Sequence, residues 1–219
     1  MNTDTCRTVY LGGCGEITEK KSRFIATVHP VSSEEEALAF IEQTKKKYWD
    51  ARHNCSAYVI GANNELSRCS DDGEPAKTAG RPMLDVLLCE GIHDAAVVVT
   101  RYFGGVLLGT GGLVRAYQAA VKAGLAASTI IEKSFGRRLV ITTDYTNFGK
   151  LQYITASEQI PVLGTEYTDN VAVTLFVSAA QEACLTKKLT EATNGRAHIA
   201  PGEESFFSIL DGKLLLFPR

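Results

Sequence analysis

Arg101-Tyr102-Phe103-Gly104-Gly105, followed by Gly109-Thr110-Gly111-Gly112, is the stretch on which the reading of this chain turns. An apolar run at residues 95–99 carries an arginine and two aromatic rings to the mouth of a glycine-rich loop. An amphipathic segment, residues 113–125, follows at once, with Leu113, Tyr117, Ala120, Val121 and Gly124 on the side to be buried. This order predicts a central strand over residues 95–100, a loop of bare backbone, and then a helix. The first N–H groups of a helix lack partners and lie at the positive end of its dipole, so they attract anions. Phosphate is the first ligand class to consider, whether free, in a nucleotide or in a polynucleotide.

Upstream, Phe24, Ala26 and Val28 alternate with Ile25, Thr27 and His29, which predicts a strand ending at Pro30. Ser32 with Glu35, or Ser33 with Glu36, makes a capping box for a helix carrying Leu38, Ile41, Lys45 and Tyr48 at helical spacing. Lys45, Lys46 and Lys47 complement the dipole at that helix's C-terminal end. Strands at residues 53–60 and 65–70 flank the turn Gly61-Ala62-Asn63-Asn64 as a hairpin. Gly80-Arg81-Pro82 then starts a helix through Leu88, with Pro82 suited to the first helical position.

Near Ser134 the pattern restarts. A strand at 138–143, a helix at 147–156, strands at 162–168 and 171–178, a helix capped by Ser178 and Gln181 and closed by Gly195, and a last strand at 206–210 follow in order. The last strand extends toward residues 214–217. Strand-helix-strand-strand-helix-strand is the ferredoxin-like order. The expected organisation is therefore two α+β domains, residues 1–134 and 135–219, joined without a flexible linker.

Composition bounds the function. The chain has 219 residues, 45% hydrophobic and 22% charged, with a net charge of −2. Up to Ser134 there are 15 Lys/Arg against 16 Asp/Glu, and beyond it 8 against 9. A sequence-blind nucleic-acid binder usually carries a positive surplus, so contact with a polyanion must come from a local patch. Cys6, Cys14, Cys55, Cys69, Cys89 and Cys184 show no zinc-type spacing, and residues 1–10 hold no signal-peptide core. Free thiols in the cytoplasm are expected. No run is long and apolar enough to span a membrane.

Several groups are candidates for chemistry. His53 and Cys55 lie two apart on one strand face, where they support a nucleophile, ligate a metal or simply line a groove or the core. Asp71, Asp72 and Glu74 are candidate oxygen donors for Mg²⁺, or else caps for backbone N–H groups, including those of the helix at Gly80. The glycine loop lacks the Lys-Ser/Thr ending of a Walker A sequence, and no acidic residue follows at Rossmann spacing. Arg101 with an exposed Tyr102 or Phe103 suits single-stranded RNA or phosphate with base stacking. Arg52, Lys77, Arg81 and Arg115 stand near the neighbouring loops and would complete a basic groove.

Asp71-Asp72-Gly73-Glu74-Pro75, Thr78-Ala79-Gly80, Pro82-Met83-Leu84, Arg101-Tyr102-Phe103-Gly104-Gly105 and Leu108-Gly109-Thr110-Gly111-Gly112-Leu113 together resemble the signature of the IMPACT/YigZ family. Lys21-Ser22-Arg23-Phe24-Ile25-Ala26 and Arg52-His53-Asn54-Cys55 fit as well, so the resemblance spans residues 16–126. The second half looks like the bacterial family's C-terminal domain. The resemblance implies a ribosomal protein S5 domain 2-like domain followed by a ferredoxin-like βαββαβ domain, a pair similar to the last two domains of elongation factor G. It also implies a role in translational regulation, with RNA, the ribosome or a protein of translational control as partner. Eukaryotic members compete for a partner of the kinase that senses amino-acid starvation and carry an extra N-terminal interaction domain, so that partner role does not transfer. The chain departs from the pattern at Lys77, where a small residue, usually Gly, is expected.

Two functional expectations result. The first is a translation-regulatory module that binds RNA or the ribosome through Arg52, His53, Lys77, Arg81, Arg101, Tyr102, Phe103, Gly104, Gly105, Gly109, Thr110, Gly111 and Gly112, with no cofactor, no membrane and no DNA-specific signal. The second is a metal- or nucleotide-dependent hydrolase or transferase that uses Asp71, Asp72 and Glu74 with His53 and Cys55. The four histidines, His29, His53, His93 and His198, lack metalloprotease spacing.

Overall fold

Val97, Val98 and Val99 are all fully buried, because the strand that carries them has helices on both sides. A strand covered on both faces reads as a continuous apolar run rather than an alternation. The computed structural model describes residues 5–217. Residues 1–4 and 218–219, at the outer ends of the two expected domains, lie outside the described residues. The chain divides into two compact units, Met1–Glu132 and Lys133–Arg219.

The first unit runs β1 (Thr5–Leu11), β2 (Cys14–Glu19), β3 (Ser22–Pro30), α1 (Glu34–Lys47), β4 (His53–Ile60), β5 (Leu66–Ser70), α2 (Gly80–Cys89), β6 (Ile92–His93), β7 (Ala95–Tyr102) and α3 (Gly109–Ala126). Its five-stranded antiparallel sheet has the order β2-β3-β7-β4-β5. Phe24, Val28, Cys55, Val97 and Val99 face the packed helices α2 and α3, which contribute Met83, Leu87, Tyr117 and Val121. Ala96, Val98 and Tyr58 face α1. Truncating a buried side chain such as Leu87 to alanine in such a core costs roughly 2–5 kcal/mol.

Two expectations change here. The buried stripe of α1 is Ala37, Phe40, Ile41 and Thr44, whereas Leu38 is half exposed. Phe40 takes the inner place and stacks on His29 at 5.0 Å between ring centroids. Ser33 caps the helix by accepting from the Glu36 N–H, and the Glu36 carboxylate reaches back to Ser32. The second change is in α3, which begins at Gly109 rather than Leu113, so the glycine-rich stretch forms its first turn.

β8 (Thr129–Thr143) starts four residues before the second unit, which continues with α4 (Tyr145–Ser157), β9 (Val162–Tyr167), β10 (Val171–Ser178), α5 (Ala179–Thr193), β11 (His198–Leu210) and β12 (Lys213–Phe217). β9, β10, β8, β11 and β12 pair in that order, antiparallel throughout. The first six of these seven elements make the ferredoxin-like βαββαβ arrangement, with β12 added at the edge. Asp211 and Gly212, both at positive φ, form the tight turn that separates β11 from β12. Leu139, Ile141, Leu151, Leu175, Leu185 and Leu189 fill its core. Ser178 and Gln181 make the expected capping box, and Asn194 ends α5 in the left-handed region.

Candidate functional site

Residue parity along β7 decides the site. Val97, Val99 and Arg101 share the face toward α2 and α3, and Arg101 pairs across the sheet with Phe24 on one side and His53 on the other. The guanidinium therefore enters the core. Its side chain is 8% exposed and lies 2.6 Å from Glu74 Oε1, whose own side chain is 3% exposed. The Tyr117 hydroxyl donates to the same oxygen at 2.9 Å. The Cys55 thiol lies 2.9 Å from the Asp71 carbonyl oxygen and 3.3 Å from the Tyr117 hydroxyl. Rings of Phe24 and Phe103 bracket the Arg101 guanidinium at 5.5 and 5.6 Å.

This overturns the expectation that Arg101 is a free cation for an anion. Its charge is spent on Glu74, and the pair is buried at the floor of a cleft. Burial also removes Cys55 as a nucleophile, since its thiol is fully buried and burial pushes its pKa up to about 12. Native protein should accordingly leave Cys55 unmodified by a thiol reagent that labels the exposed Cys14, Cys89 and Cys184, with labelling only on unfolding. Mass mapping of the labelled peptides checks this.

Of the two readings of Asp71, Asp72 and Glu74, metal donors or caps for backbone N–H groups, the structure supports the caps at Asp71, and the three carboxylates diverge. Asp71 accepts from the N–H groups of Lys77, Ala79 and Gly80 at 2.8, 3.0 and 2.8 Å, capping α2, whose N-cap residue Ala79 supplies no side-chain bond. Burial draws the Asp71 pKa upward, but those three donors outweigh it and hold the carboxyl below its usual range. Asp72 takes Lys45 Nζ at 3.0 Å and the Asn54 N–H at 2.7 Å. Glu74 holds Arg101. Among the described residues no group of three or more His, Cys, Asp or Glu is placed to hold a metal ion. The expectation of a metal site at Asp71, Asp72 and Glu74, with Cys55 as a nucleophile beside it, is corrected on these grounds.

What remains open to solvent is a cleft of about 480 Å³ lined by Asp50, Arg52, His53, Arg101, Tyr102, Phe103 and Leu107. The Tyr102 hydroxyl donates to Asp50 at 2.8 Å, which occupies that carboxylate. The His53 Nδ1 lies 3.0 Å from the Asp72 carbonyl oxygen. A carbonyl only accepts, so Nδ1 carries the proton and Nε2 is left as an acceptor in the neutral ring. Phe103 is 54% and Leu107 84% exposed. Arg52 is exposed and makes no hydrogen bond or ion pair among the described residues.

Leu107 precedes the helix N-cap Leu108, so the first turn of α3 starts at the cleft edge. No side chain caps that turn and no acidic residue lies in it. Thr110 and Gly111 are exposed there, and the Arg115 guanidinium stands 3.7 Å from where a Cβ on Gly111 would be. Gly104 sits against the β2–β3 hairpin, because a Cβ there would fall 2.0 Å from the Lys21 carbonyl. That hairpin turn is Lys20-Lys21, both exposed and both at positive φ. Gly105 has φ +83 with open space beyond it.

Two expected cations lie elsewhere. Arg81 is paired with Asp85 at 2.8 Å along α2, and neither it nor Lys77 lines the cleft. Lys77 adopts φ +63, the left-handed region, which explains why a small residue is expected at this place. Lys77→Gly should raise stability by about 0.5–1 kcal/mol in urea denaturation, strain relief outweighing the looser unfolded chain. Asp50, Leu107 and Lys20 were absent from the sequence reading of the site. Their side chains carry no motif, and pairing across the sheet brings them there.

A two-unit α+β protein with one exposed aromatic and cationic cleft on its first unit is what fold and site define. A family model described as the Impact N-terminal domain matches residues 20–125, and one described as a domain of unknown function (DUF1949) matches residues 141–196. The chain is 42% identical to the IMPACT family member YvyE of Bacillus subtilis (strain 168), covering 91% of this chain and 92% of that protein. It is 35% identical to the IMPACT family member YigZ of Escherichia coli (strain K12), over 84% of this chain and 92% of that one. A solved structure titled "Crystal structure of an hypothetical protein" superposes with a TM-score of 0.58 at 32% identity, covering 89% of this chain and 96% of that one. The chain belongs to the IMPACT family. Every residue that lines the cleft falls inside the stretch matched by the first family model.

Proposed function

We propose that this chain is a translation-regulatory module that docks on RNA or the ribosome through the cleft of its first unit. Membership of the IMPACT family supports the regulatory part, since the resemblance of the signature residues implies that role. The observation that carries the docking part is the set of groups the cleft presents to solvent. Arg52 is a free cation, Phe103 packs on Arg101 yet keeps 54% of its surface exposed, and the first turn of α3 offers uncapped N–H groups. Asp50, the acidic residue of the lining, is engaged by Tyr102. Lys20 and Lys21 add two exposed charges where the hairpin abuts Gly104.

The balance of charge over the whole chain is compatible with this arrangement, because the attraction is local and works within a Debye length of about 8–10 Å. Among the described residues no helix is long and apolar enough to cross a membrane. The test is co-sedimentation with ribosomes at low salt. The double variant Arg52→Ala with Phe103→Ala should bind at least about tenfold more weakly than wild type, from one lost phosphate contact and one lost stacking contact. Equal pelleting of the two proteins would contradict the reading.

A further inference from the structure

Trp49 is the one tryptophan of the chain, and 83% of it is exposed. It lies just beyond α1, which ends at Lys47 with Tyr48 as the C-cap, so it falls outside the buried stripe of Ala37, Phe40, Ile41 and Thr44. A tryptophan left in water forgoes the largest apolar burial any side chain offers, and such rings are enriched where a partner covers them. Its neighbours are cationic. Lys46 and Lys47 are exposed, Lys47 Nζ lies 5.1 Å from the Tyr48 ring, and Arg52 is exposed three residues on. Lys45 is withdrawn by Asp72, and Asp50 is engaged by Tyr102.

We propose that residues 46–53 are a contact surface for single-stranded RNA, with the Trp49 ring stacking on an unpaired base and Lys46, Lys47 and Arg52 tracking the adjacent phosphates. This rests on the reading of the cleft as an RNA-docking face and names the form of RNA it takes. Asp50, Arg52 and His53 of the segment line that cleft, so the strand that covers Trp49 continues into it. Charge complementarity selects a polyanion over a neutral peptide. An open ring with two accessible faces selects unpaired bases over a duplex, whose base faces are closed against one another.

Because Trp49 is the one indole, intrinsic fluorescence reads this surface alone. Oligouridylate should quench it saturably, while an RNA duplex binds at least about tenfold more weakly. Trp49→Ala should weaken binding of a labelled oligouridylate about tenfold, and Trp49→Phe should restore most of it, because a second aromatic ring still stacks. Lys46→Ala with Lys47→Ala should reduce the slope of log affinity against log salt by about 1.4, at about 0.7 per phosphate on a single strand. Equal quenching by duplex, a Trp49 blue shift on anionic lipid vesicles without response to oligouridylate, or unchanged affinity in Trp49→Ala would each overturn the inference. Loss of ribosome pelleting in Arg52→Ala with Phe103→Ala, with Trp49 silent to oligouridylate, overturns this inference and leaves the cleft reading standing. Quenching by oligouridylate, with pelleting unaffected by the cleft variant, supports this surface and overturns the cleft reading.

Discussion

Glu74→Ala is expected to destabilise the first unit by about 3–5 kcal/mol, the cost of leaving a buried charge without its partner. Glu74 Oε1 receives both the Arg101 guanidinium and the Tyr117 hydroxyl, and all three side chains are buried. Removing the carboxylate leaves a cation and a hydroxyl without their acceptor where water has little access. The Arg101 Nε already lacks a hydrogen-bond partner among the described residues, so the guanidinium has little to fall back on. Urea denaturation followed by far-ultraviolet circular dichroism measures the loss. A double variant, Glu74→Leu with Arg101→Met, should recover most of the stability, because replacing a whole buried pair with apolar groups of similar size is often near neutral. A loss below about 1 kcal/mol in the single variant would show that the pair is hydrated and open.

Asp71→Ala is expected to cost about 3 kcal/mol near neutral pH, by leaving the N–H groups of Lys77, Ala79 and Gly80 without an acceptor. Ala79 and Gly80 are buried, so water replaces the lost bonds poorly. The effect carries a pH signature. Although burial opposes it, the folded carboxyl titrates below its ordinary value because those donors favour the charged form. Its contribution is therefore complete above the unfolded pKa of about 3.9 and fades as pH falls through the lower folded value. The gap between wild type and Asp71→Ala in urea denaturation should stay constant at higher pH and close below about pH 4. A gap that persists undiminished into strong acid would mean that Asp71 acts through packing and not as a charged cap.

The two-domain α+β plan was legible because its strongest signals are local. The apolar run at residues 95–100 predicts a central strand, and Ser178 with Gln181 announces α5. Residues 5–11 and 14–19 carried no clear alternation, and β1 and β2 form there because β6 and β3 supply their pairing. The site was less legible, and Arg101 shows why. It stands two residues beyond Val99, on the core face by parity, yet a charge at that place needs a partner to stay. That partner, Glu74, is 27 residues away in a loop and becomes visible only once the chain is folded. The same loop reads as either a metal site or a set of backbone caps because spacing cannot show that Asp71, Asp72 and Glu74 point at three different groups. Trp49 carried no signal either, since a tryptophan after a helix reads as core until its exposure is known.

The most direct measurement of the central claim is hydrogen exchange of the protein with and without ribosomes. The account predicts added protection of amides at residues 49–53 and 103–112, including the first turn of α3, while β9 and β10 exchange as in the free protein. Protection confined to the second unit, with residues 103–112 unchanged, would contradict it.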